Sequence, residues 1–165
     1  RFDMLPLEGQ KMEQRCWDEF WSKYPIHYKA LTENAKDAIE QTKVFRALLD
    51  KWDATHTVCI ISDTGGFDFG TINYYLDLAG CPPLHYKLRA DGTKGYRSTF
   101  NVHAYASAVM HDPIGEDWVG KVKTIQRIGA DHLDINSHNH MPENDAEFIY
   151  QFHYNVVKYN NNKKG

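Results

Sequence analysis

Hydrophobic positions along this chain recur at two different periods, and the switches between them mark out the elements. The clearest helical stripe covers residues 32–52. There Ala35, Ala38, Ile39, Thr42, Phe45, Leu48, Leu49 and Trp52 fall on one face at helical spacing. Residues 56–62 break that period with a dense, β-branched apolar run. Such a run predicts a strand buried in a parallel sheet. Residues 63–66 predict a turn. Helical spacing resumes over residues 67–78, until Gly80 and Pro82-Pro83 terminate it. Residues 84–88 predict a second strand and residues 89–98 a polar, glycine-bearing loop. Residues 101–110 and 119–128 predict helices, residues 130–144 a long polar connector, and residues 145–159 a last amphipathic helix. Upstream, residues 1–10 lack periodicity and read as an arm. Residues 11–22 predict a helix with Met12, Cys16, Trp17 and Phe20 facing inward. Tyr24-Pro25 ends it, because a residue before proline is pushed out of the helical region. The expected class is α/β.

Composition narrows this picture. At 165 residues the chain is long enough for one domain with its own core. No repeat or low-complexity linker divides it, so a single domain is expected over 1–159, followed by a frayed tail at 160–165. Apolar content of 42% and charged content of 25% suit a globular protein. The net charge of −3 excludes a basic nucleic-acid coat. It does not exclude an enzyme that meets phosphates through metal ions. The three cysteines, Cys16, Cys59 and Cys81, form no C-x-x-C pair, so zinc held by sulfur is not expected. Cys59 lies inside the apolar run and reads as a buried thiol. This cysteine usage suits a reducing compartment such as the cytoplasm. No window approaches the ~20 apolar residues that cross a bilayer, so no membrane association is expected.

Two carboxylates then stand out. On the helix over 67–78, Asp68 shares a face with Ile72, Leu76 and Ala79, so the apolar residues carry it toward the edge of the sheet. Ligands of open α/β sheets gather at the carboxyl ends of the strands. On the last helix, Asp145 leads a stripe of Ile149, Phe152 and Val156 in the same way. Both positions also suit a carboxylate that balances the helix dipole. His140 lies on the loop five residues before Asp145. An imidazole there suits a base that takes a proton from water, since its ordinary pKa is near neutrality; a solvated loop histidine is the plainer reading. His132, Asp134, His138 and His140 also allow a zinc site, and His138-Asn139-His140 allows an HNH nuclease. That nuclease needs a ββα hairpin, whereas a proline turn and a long helix follow here. Lys87, Arg89, Lys94 and Arg97 flank the polar loop and suit either contacts with substrate phosphates or a solvated basic loop.

These segments resemble the DEDDh 3′→5′ exonucleases, the relatives of proofreading subunits and oligoribonuclease. Phe67-Asp68 with Ile72-Asn73 looks like that family's second motif. His140 to Asp145, followed by Ala146, looks like its third, H-x4-D and a small residue. The wording around both is closest to predicted exonucleases of phages and large DNA viruses. The resemblance covers roughly residues 36–159. It implies a ribonuclease H-like fold and hydrolysis of phosphodiester bonds from a nucleic acid 3′ end, DNA or RNA. It also implies a pair of Mg²⁺ or Mn²⁺ ions held by carboxylates. On this resemblance Asp68 and Asp145 are metal ligands, His140 is the general base, and Arg89, Lys94 and Arg97 contact substrate. The family's first motif, D-x-E on the first strand, is not found on any expected strand here, nor are the family's three early antiparallel strands. The chain begins with Arg1 rather than Met. The expectation is therefore a C-terminal portion of the fold, inactive or impaired alone, whose sheet an upstream segment or a partner chain completes. A non-catalytic assembly module that keeps the fold is the alternative.

Overall fold

The computed structural model describes residues 4, 6–63, 65–89, 91–111, 118–134 and 141–163. Their contacts divide the chain into two units. One comprises Arg1–Val58 with Thr71–Arg97, the other Cys59–Gly70 with Ser98–Gly165. The class is mixed α/β, rich in helix, with a small parallel sheet.

The first unit opens with Met4 in an isolated bridge to Lys36. Helix α1 (Gln14–Glu19) and a short 3-10 turn (Trp21–Lys23) bury none of their residues. Met12 and Cys16, expected to face inward, are exposed, because α1 is too short to present a stripe. Pro25 ends that segment as expected but also begins α2 (Pro25–Thr32). Proline has no N–H to lose at a first helical position, so the same residue serves both purposes. Helix α3 (Ala38–Asp53) starts six residues later than the apolar stripe predicts. Asp37 caps it by accepting from the Glu40 N–H at 2.9 Å. Ala38, Thr42, Arg46 and Leu49 form its buried face, while Trp52 is exposed.

Helix α4 (Gly65–Leu78) ends on Gly80 at φ 66°. The Gly80 N–H donates to Asp77 and the Cys81 N–H to Leu76, a glycine-terminated helix end. Leu76 and Leu84 are fully buried; each such burial contributes about 1.5–3 kcal/mol. Asn73 accepts from the Leu84 N–H at 2.7 Å, which fixes the chain beyond Pro82-Pro83. Strands β2 (Tyr86–Leu88) and β3 (Lys94–Tyr96) pair antiparallel, with Tyr86 opposite Tyr96 and Leu88 opposite Lys94. The strand expected over 84–88 is observed as β2, and the polar loop expected over 89–98 holds the turn and the second strand of a hairpin. Its turn is closed by the Arg89 N–H on Thr93 and by Asp91 accepting from the Thr93 N–H and hydroxyl.

The second unit is built on a parallel pair. Strand β1 (Cys59–Ser62) lies beside β4 (Ser98–Asn101), with Cys59 opposite Ser98 and Ser62 opposite Asn101. The sequence predicts β1 as a parallel strand, and it is one. It offers no sign of β4, which is cut short between the hairpin and a helix. Among the described residues each of these strands has a single neighbour. Cys59, expected as a buried thiol, is exposed at the start of β1, where the pair has not yet been covered. Helices α5 (Val102–Met110), α6 (Trp118–Arg127) and α7 (Pro142–Asn162) supply the core: Val102, Ala106, Ile125, Phe148, Phe152 and Val156. Helix α7 runs through Asn162, beyond the expected end at residue 159.

Candidate functional site at the end of the parallel strand pair

Ser62 and Asn101 face each other at the carboxyl ends of β1 and β4. The polar groups of the second unit's candidate site are organised around them. The Ser62 side chain is buried, and its hydroxyl donates to the Asp68 carboxylate from the end of the strand. Asp68 is therefore held beside the sheet's end, half-buried, on the first turn of α4. Its expected face is observed: Ile72 and Ala79 are half-buried and Leu76 is fully buried on the same helix. Phe67, its neighbour, is 75% exposed.

Asp63 follows Ser62 directly and has a different environment. Lys121 of α6 places its ammonium 2.8 Å from the Asp63 carboxylate, and both residues are buried. The Asn101 amide nitrogen donates to the Asp63 carbonyl at 2.9 Å. The Asn101 oxygen accepts from the Ala104 N–H at 2.9 Å and so caps α5. The two strand ends, the start of α5 and the middle of α6 are thus joined through one aspartate and one asparagine. Asp63 carries its own counter-ion, so it is a poor candidate for binding a second cation.

Asp145 lies on the first turn of α7, after Met141 at the N-cap and Pro142 at the first helical position. Its N–H donates to the Met141 carbonyl at 2.9 Å. The expected stripe is observed here too, with Asp145 and Ile149 half-buried and Phe152 and Val156 buried. Glu143 and Asp145 together place negative charge where the helix dipole favours it. His140 and His138 fall outside the described residues. His132 and Asp134 are exposed. Among the described residues no three His, Cys, Asp or Glu side chains converge as a metal-binding group.

The three basic residues expected at substrate separate cleanly. Arg89 and Lys94 are exposed on the hairpin of the first unit. Arg97 is not: its guanidinium is buried, donates to the Leu84 carbonyl and pairs with Asp53. A guanidinium fixed on both sides inside the protein cannot meet a phosphate, and Arg97 is a structural residue.

Ser62, Asn101 and Lys121 escape a reading based on acidic residues alone. Lys121 has a legible signature all the same. It shares a helical face with Thr124 and Ile125, both buried, and a lysine in such a stripe requires a carboxylate partner. Arg46 in the buried face of α3 carries the same signature, answered by Asp50 at 2.7 Å.

His153 of α7 packs its ring against Phe100 and Tyr105, with centroids 5.1 and 5.7 Å away. Burial pushes its pKa below the usual value.

No protein-family model matches the chain, and no curated protein or solved structure is significantly similar to it.

Proposed function

We propose that this chain carries part of a metal-dependent 3′→5′ exonuclease site of ribonuclease H-like fold, acting on DNA or RNA. One observation carries the reading. The Asp68 carboxylate is held by Ser62 at the carboxyl end of a parallel strand pair, where open α/β sheets bind their ligands. Asp145, leading the buried stripe of α7 in the same unit, is the second carboxylate of the reading. The donors fit the group: half-buried carboxylates offer hard oxygen ligands, which suit Mg²⁺ or Mn²⁺. When bound, such ions polarise the phosphate and neutralise the charge that develops during hydrolysis. Ser62 keeps the Asp68 carboxylate turned to the strand end. Lys121 neutralises Asp63, so in this reading the cation is assigned to Asp68 rather than to Asp63. His140 takes the proton from the attacking water. A complete sheet and the two carboxylates of a D-x-E strand come from a further segment or a partner chain, so these 165 residues alone are impaired.

The test is calorimetric titration with Mn²⁺, followed by hydrolysis of a 3′-labelled oligonucleotide by the complete protein. Heat of binding is expected, and it vanishes in Asp68→Asn and in Asp145→Asn. His140→Ala is expected to slow hydrolysis by roughly 10²–10⁴-fold. Undiminished heat or an unchanged rate in these variants overturns the reading.

A non-catalytic module is the second reading, and the Asp63–Lys121 pair favours it. A strand end whose polar groups satisfy one another needs no ion. No Mn²⁺ heat from the complete protein, together with an intact fold, selects it.

A further inference from the structure

We propose that the β2–β3 hairpin of the first unit is a binding platform for single-stranded nucleic acid. This stands independently of the hydrolytic reading, since it needs no ion and neither Asp68 nor Asp145.

Alternation along the two strands places Tyr86, Leu88, Lys94 and Tyr96 on one face. The Tyr86 and Tyr96 rings are 5.4 Å apart at 36°. The His85 ring lies parallel to Tyr96, at 3° and 6.3 Å. Yet this aromatic group is not core: Tyr96 is 72% exposed and Leu88 60%. Rings held in mutual contact while facing water are pre-ordered surfaces for stacking.

The opposite face carries Lys87 and Gly95. A Cβ placed on Gly95 would lie 2.9 Å from Arg89 Nε and 3.3 Å from Lys87 Cγ. Both long cationic side chains therefore lie across the bare Gly95 backbone. With Lys94, the segment 85–96 holds three cations against one carboxylate, a net charge of +2 in a chain of −3. Its one carboxylate, Asp91, is turned into Thr93, whose hydroxyl and N–H hold its pKa below the usual range. Asp50 nearby is occupied by Arg46. Lys87, Arg89 and Lys94 have no ion-pair partner among the described residues.

Between the hairpin and Pro82-Pro83 lies a groove of about 400 Å³ lined by Tyr86, Lys87, Leu88 and Lys94 and by the paired Arg46 and Asp50. That volume is within the range of small-ligand sites. Stacked rings bordered by unpaired cations match the two repeating parts of a polynucleotide, its base faces and its phosphates. They favour a single strand, because bases in a duplex already stack on each other and cannot reach the rings.

The experiment uses the whole chain in EDTA, so hydrolysis plays no part. Fluorescence anisotropy with a labelled oligo(dT) strand is expected to show saturable, salt-sensitive binding that is weaker for a duplex of equal length. Tyr96→Ala removes an exposed ring and leaves the fold intact; it should weaken binding by about five- to a hundredfold. Lys87→Gln with Lys94→Gln should flatten the salt dependence by about 0.7 per lost contact. Tyr150→Ala, an exposed ring on α7, should change nothing. Absent binding, equal affinity for the duplex, an unaffected Tyr96→Ala variant, or equal affinity for an acidic polyglutamate peptide would overturn the proposal.

Discussion

Two two-stranded sheets stand out among the described residues, and they treat charge in opposite ways. In the parallel pair β1–β4, cation and carboxylate are buried together at the strand ends, as Lys121 and Asp63. In the antiparallel hairpin β2–β3, Arg89 and Lys94 are exposed and Lys87 is half-buried, and the three are spread over both faces. A parallel pair draws helices over its faces, so polar chemistry is confined to its ends. A hairpin with open faces can offer side chains along its whole length. The first arrangement suits a fixed site for something small, the second a surface for something extended. Arg97 marks the boundary between them along the chain, one residue beyond β3 and wholly buried.

That contrast can be tested through stability. Replacing Arg97 with Met should have the largest effect, because it leaves the Asp53 carboxylate buried without its cation and the Leu84 carbonyl without its donor. A loss of about 3–5 kcal/mol in chemical denaturation is expected. Lys121→Met follows at about 3 kcal/mol, since Asp63 retains slight exposure, and adding Asp63→Asn should recover most of it. Lys87→Met and Lys94→Met should each stay within about 0.5 kcal/mol. Equal losses at Lys121 and Lys94 would erase the distinction between the two sheets.

The smallest effect concerns pH. His153 is packed on Phe100 of β4, and its folded pKa lies below the ordinary 6.5. The unfolded chain therefore binds the proton more readily. Stability should be full above about pH 6.5 and decline as pH falls through that value toward the folded pKa. His153→Phe should remove that part of the decline, measured as Tm against pH.

Helices α3 to α7 are legible in the sequence because each has a stripe of several turns, long enough to define a face. The same periodicity places Asp68 and Asp145 on half-buried faces. Helix α2 is hidden because proline reads as a stop and can equally be a start. The first strand of the hairpin, β2, falls within the strand expected over 84–88, but its partner β3 is hidden because it has only three residues, Lys-Gly-Tyr. Its alternation is real but too short to stand out from a polar loop. The burial of Arg97 is illegible for a different reason. Its partners, Asp53 and the Leu84 carbonyl, are distant in sequence, and only tertiary structure brings them together. Ser62 goes unread beside Asp68 because a serine ending an apolar strand has no pattern of its own.

Asn101 shows how narrowly one position can be specified. Its side chain donates to the Asp63 carbonyl and accepts from the Ala104 N–H. Deamidation of this asparagine to an aspartate would alter the shape hardly at all and would keep the cap on α5. It would also set two oxygens against each other, carboxylate against carbonyl, where a bond had been. A chemical change of one functional group, invisible in outline, would loosen the tie between the end of β1 at Asp63 and the start of α5.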